Sequence, residues 1–137
     1  MRKQKQSIHP PLRDGTAAVE FAVCLPMLLV ILIGVIEASS MIYLKQSLSV
    51  AAYEGIRASV KADATTSDVE AACNQILTAR GVNGATIEIT PSNFESQPVL
   101  SWISVRVSAT GGDNSVIASW FYDTLIVDGE AAMMKEY

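Results

Sequence analysis

The sequence predicts an α+β protein in which one long amino-terminal helix precedes a second helix and a small antiparallel sheet. Three observations carry that prediction. Phe21–Ile36 is a run of sixteen residues without a charge, too long for a strand and close to the length that crosses a bilayer. No proline interrupts the chain between Pro26 and Pro91, which leaves room for a helix that continues past the apolar run. Farther on, Thr86–Thr90 and Trp102–Ser108 alternate apolar and polar residues, the period of half-buried strands.

The first fourteen residues contain His9, Pro10 and Pro11 among polar and basic side chains, and the prolines separate this piece from the helix that follows. From Thr16 the chain reads as helix, with Glu20, Pro26 and Gly34 as its irregular positions. Sixteen apolar residues at about 1.5 Å each span about 24 Å, short of the roughly 30 Å hydrocarbon core unless Thr16–Val19 are drawn in too, which puts Glu20 in the membrane. Leu44, Leu48, Ala51, Ala52, Gly55, Ile56 and Ser59 then recur at steps of three and four. The helix is expected to reach about Lys61, with one small, apolar stripe packed against something else. Glu37 reads as a membrane-interface residue, and Glu54 with Arg57 as a solvated i,i+3 pair.

Ser67-x-x-Glu70 reads as a capping box and Gly81 as a stop, giving a second helix over about 68–80. Gly111–Asn114 is expected to be a turn, Ser115–Tyr122 is compatible with helix or strand, and Leu125–Met134 is expected to form a last strand broken near Gly129. Trp102, Trp120, Phe121 and Tyr122 are expected in the core, as is Cys73, read as a small buried hydrophobe.

Composition narrows the function. The 137 residues carry 14 acidic and 10 basic side chains, a net charge of −4, unlike the basic surface of a nucleic-acid binder. The charges are sorted: Arg2, Lys3, Lys5 and Arg13 precede the apolar run, and the chain after Gly15 holds thirteen acidic and six basic residues. By the positive-inside bias the amino terminus stays in the cytoplasm and the acidic remainder is exported. Cys24 lies in the apolar run and Cys73 some fifty residues beyond it, so no internal disulfide is expected. One histidine and no Cys/His cluster give no zinc pattern, and no metal or cofactor is expected. Nucleophile elbow, phosphate loop and paired-carboxylate motifs are missing from the sequence, so neither catalysis nor a small-molecule substrate is expected.

The most unusual feature is Gly15-Thr-Ala-Ala-Val-Glu20-Phe21. A basic leader ends in glycine, and a carboxylate stands five residues into an apolar helix, where a charge is expensive and calls for a partner. Together with Pro26 five residues on, this segment resembles the prepilin signal of the type IVb, Flp or tight-adherence class. Ala17-Ala-Val-Glu-Phe-Ala-Val-x-Leu-Pro-Met-Leu-Leu, Gly34-Val-Ile-Glu37 and Ala51-Ala-Tyr-Glu-Gly-Ile-Arg57-Ala are similar to the TadE-like minor pseudopilins, over about residues 13–60. Phe21 stands where the major Flp pilins have tyrosine.

The resemblance implies a minor pseudopilin of a Flp pilus, cut by an inner-membrane prepilin peptidase between Gly15 and Thr16. Glu20 and Phe21 would then act in recognition and assembly and Pro26 in a helix kink. Implied partners are that peptidase, other pilins and pseudopilins, the inner-membrane assembly platform and the lipid bilayer. The implied organisation is a leader at 1–15, a transmembrane half-helix at 16–37, an extracytoplasmic half at 38–62 and a periplasmic α+β domain at 63–137, in the bacterial inner membrane or the pilus. A competing reading is a Sec-exported domain cut near Ala38-Ser39 or held by an uncleaved anchor. Glu20 interrupts the apolar run and Ile36-x-Ala38 lacks the small-x-small pattern that such a cut prefers.

Overall fold

The computed structural model describes residues 15–117 and 119–136, together with the backbone but not the side chain of Trp120. The leader expected at the amino terminus therefore lies outside the described residues except for Gly15. Helix α1 (Thr16–Ser59) is continuous through Pro26. It is followed by α2 (Thr66–Ala79), β1 (Thr86–Thr90), a 3₁₀ turn at Phe94–Ser96, β2 (Trp102–Thr110), the one-turn helices α3 (Gly111–Asn114) and α4 (Ser119–Tyr122), and β3 (Ile126–Met134). The α+β class, the long first helix, the second helix and the antiparallel sheet are as the sequence predicts.

The chain divides into two compact units, one ending at Gly34 and the other starting at Val35, and α1 contributes to both. In the first, every described residue is exposed. A helix apolar on all sides and covered by nothing is unsuited to water and suited to lipid or a helix bundle. Its length and composition make it a candidate membrane span.

The second unit has a core of its own. The sheet has the order β1-β2-β3, both pairs antiparallel. Ile103, Val105, Val107 and Ala109 of β2 are buried, and β3 sets Met133, Ala131, Gly129 and Val127 directly opposite them. The period of two places these side chains on one face. The stripe of α1 read from the sequence, Leu44, Leu48, Ala51, Ala52, Gly55, Ile56 and Ser59, is buried, and α2 adds Val69, Cys73 and Leu77. On the other face of the sheet Arg106 and Glu130, opposite in register, form an ion pair at 2.7 Å.

Two glycines set the spacing of these layers. A Cβ on Gly55 would lie 2.4 Å from the Cys73 Sγ and 3.2 Å from Val105, so the missing side chain admits α2 and β2 to the helix. A Cβ on Gly129 would lie 2.4 Å from the Ser49 nitrogen and 2.6 Å from the Leu48 carbonyl carbon. The strand expected to break at Gly129 instead runs unbroken, because the glycine sits opposite Val107 where strand and helix backbones meet.

Other expectations are corrected in detail. The cap of α2 is Thr65 with Asp68, not Ser67 with Glu70. Thr65 has the extended backbone of a cap, its amide donates to the Asp68 carboxylate at 3.0 Å, and the Asp68 amide donates to the Thr65 hydroxyl at 3.3 Å. The Thr66 amide, freed by the start of the helix, donates to Glu95 at 2.7 Å. The turn at Gly111–Asn114 is one turn of helix, and β2 extends two residues beyond Ser108. Trp102 and Phe121 are 65% and 67% exposed rather than core. The helices and the apolar face of β2 already fill the inner side of the sheet; Trp102 falls on the outer face and Phe121 on a connection. The expectation for the Trp120 side chain lies outside the described residues.

Candidate functional site

The residues singled out from the sequence stand together at the start of α1. The Gly15 carbonyl accepts the first helical hydrogen bond, from the Val19 amide at 3.2 Å, so Gly15 is the last residue before the helix proper. It is exposed, and a Cβ added there would meet nothing within 4 Å. The fold itself therefore does not require glycine at this position. Thr16 opens the helix, and Glu20 lies four residues on, about 6 Å along the axis and on the same face. Glu20 and Phe21 are both exposed, Phe21 by 61%. Pro26 has no N–H to give to the Ala22 carbonyl, yet the helix continues through it.

The second unit contains a carboxylate that sequence reasoning placed at a membrane interface. Glu37 is 2% exposed. Its side chain accepts hydrogen bonds from the Ser115 hydroxyl at 2.9 Å and from the Ile117 amide. Both carboxyl oxygens thus have a partner, which offsets the cost of burying a polar group away from water. The connection between α3 and α4 is thus tied to α1 one residue after the apolar run ends. No local motif signals this contact, because its partners are 78 and 80 residues away; the only hint is an acidic residue on the helical stripe that later proves buried.

Beside this tie lies a cleft of about 560 Å³, lined by Val35, Ile36, Tyr43, Arg80, Asp113 and Val116 among others. Among the lining residues, the Tyr43 hydroxyl donates to the Arg80 carbonyl at 3.4 Å. Among the described residues no group of three or more His, Cys, Asp or Glu side chains converges on a point that could hold a metal. Cys73 is buried, its thiol donates weakly to the Ala51 carbonyl at 3.4 Å, and burial, aided by nearby Glu70, pushes its pKa up to about 11. A thiol so held is protonated near neutrality and is not a nucleophile. Glu54 and Arg57 form the expected surface pair at 3.9 Å.

Comparison with known proteins bears directly on α1. Residues 15–57 match the family of TadE-like proteins, in agreement with the resemblance read from the sequence. The match begins at Gly15, immediately before α1, and ends two residues short of the end of that helix; α2 and the sheet lie outside it. No curated protein and no solved structure matches the chain.

Proposed function

We propose, on the premise of a TadE-like first helix, that the protein is a minor pseudopilin of a Flp-type pilus, made as a precursor and processed between Gly15 and Thr16. The family match itself associates the chain with a tight-adherence pilus, and the apolar helix is consistent with membrane anchoring. The observation that carries the finer reading is the coincidence of three boundaries. The last basic residue of the leader is Arg13, the family match begins at Gly15 and α1 begins at Thr16, so all three boundaries fall within four residues.

Processing on this reading is hydrolysis of one peptide bond. Water adds to the Gly15 carbonyl carbon, the bond to the Thr16 nitrogen breaks, Gly15 leaves as a carboxylate and Thr16 becomes a free amino terminus. Gly15 is exposed and outside the regular helix, so a protease that binds extended substrate can reach it. From Thr16 to Ile36 the helix is about 31 Å long, the thickness of the hydrocarbon core, so the new amine would sit at one face of the membrane. In a bundle of such helices the amine needs a counter-ion. Glu20 of a neighbouring subunit supplies it, and the pair sets the axial register. The protein acts structurally, and catalysis belongs to the peptidase.

Two variants test this. Gly15→Val is accommodated by the fold, so accumulation of uncut precursor in the membrane would be an effect on the peptidase alone. Glu20→Gln should be inserted and trimmed normally but fail to co-purify with other pilins, since an uncompensated charge in a low-dielectric bundle costs several kcal/mol. Normal trimming of Gly15→Val, or normal association of Glu20→Gln, would overturn the respective step.

A further inference from the structure

The connection held by Glu37 is apolar where it meets solvent. Within the eleven residues from Val116 to Ile126, Val116 is 66% exposed, Ile117 51%, Phe121 67%, Leu125 42% and Ile126 71%. So many large apolar side chains exposed in so short a segment exceed the scattered exposure of an ordinary surface. Their position along α1 is fixed. Glu37 binds Ser115 and Ile117. One turn later the Met41 sulfur packs against Gly111, where a Cβ would approach it to 3.3 Å, and the Gly111 amide donates to the Leu125 carbonyl at 2.7 Å.

We propose that this segment is a membrane-seated foot: Val116, Ile117 and Phe121 rest in the interfacial layer of the leaflet from which α1 emerges. The proposal rests on the reading of α1 as a membrane span. The depth follows from helix geometry. Glu37 to Met41 lie about 1.5–8 Å beyond Ile36 along the axis, and the interfacial layer outside the hydrocarbon core is about 5–8 Å thick on each side. The two turns that carry the segment therefore stand within that layer.

The chemistry of the contact is also specified. No lysine or arginine occurs between Gly111 and Ile126, whereas Asp113 and Asp123 do. Attraction is to the acyl-chain boundary and not to anionic headgroups, so seating should be insensitive to salt and to lipid charge. Its consequence for the protein is a second point of attachment, which fixes the exported domain against the bilayer until the subunit is withdrawn.

The test uses the full chain in bilayer nanodiscs, with Cys24→Ala to remove the exposed native thiol and Cys73 left buried and unlabelled. An environment-sensitive fluorophore is placed singly at Ile117→Cys or Phe121→Cys, with Val30→Cys as a control in the apolar run and Tyr53→Cys as a control on the exported half of α1. Lipids carrying a nitroxide high on the acyl chain should remove at least half of the emission at 117 and 121 and leave 53 unquenched, equally in zwitterionic and anionic bilayers and at high salt. Nitroxide at the chain end should quench 30. If 30 is quenched while 117 and 121 behave as 53 does, the helix spans and the foot is refuted. If emission at 117 and 121 shifts to the blue without quenching, another protein surface covers the segment and the lipid assignment is wrong. Failure to quench 30 would remove the membrane span, and the foot with it.

Discussion

Gly129 gives the clearest case of a single residue deciding how layers meet. Its hypothetical Cβ would strike backbone atoms, the Ser49 nitrogen at 2.4 Å and the Ser49 Cα at 2.7 Å, and backbone cannot rotate aside as a side chain can. Gly129→Ala should therefore destabilise the unit from Val35 onward by about 3 kcal/mol or more, at or above the upper end of ordinary overpacking costs. Gly34→Ala, whose Cβ would meet nothing within 4 Å, should not destabilise the protein, since alanine is the better helix former. Denaturant midpoints of the two variants check this, and equal midpoints would contradict the packing described. In the sequence the same glycine reads as a strand breaker, because propensity records the missing side chain and not the helix that occupies its place. Glu37 was illegible for a related reason: its burial depends on a connection some eighty residues away.

At the scale of elements, periodicity served well and terminal chemistry less so. The three-and-four spacing from Leu44 to Ser59 identified the buried stripe of α1, and the alternation in Ile103, Val105 and Val107 identified the inner face of β2. The cap of α2 was misplaced by two residues because Ser67-x-x-Glu70 matches the usual capping pattern better than Thr65-x-x-Asp68, while the extended backbone at Thr65 and the support of Glu95 at Thr66 decide the actual start. That cap is sensitive to pH. Hydrogen bonds from the Thr65 side chain and amide hold Asp68 below its ordinary carboxylate value. A carboxylate whose pKa is lowered by folding contributes fully above its unfolded value and loses the contribution as pH falls through the folded one. Amide protection in the first turn of α2 should thus decline as the pH drops below the ordinary aspartate range. In Asp68→Asn that decline should vanish; hydrogen exchange followed by NMR reads both.

For the whole molecule, the two units call for different surroundings. Residues 16–34 form a helix exposed on every side and uncharged throughout except at Glu20, whereas the unit from Val35 onward has a closed core of helices on a sheet. This division was legible in composition, since a mainly basic head, an uncharged run and a remainder with more acidic than basic residues follow one another. The exposed aromatics were not, because sequence records that Trp102 and Phe121 are apolar and does not say that the core is already full without them. The proposed function joins the units through one event, the release of a new amino terminus at Thr16. Amino-terminal sequencing of the protein purified from its native membrane tests that event most directly. The expected first residue is Thr16; a chain beginning near Ser39, as a secretory signal cut would leave, or still carrying Met1 would contradict processing after Gly15.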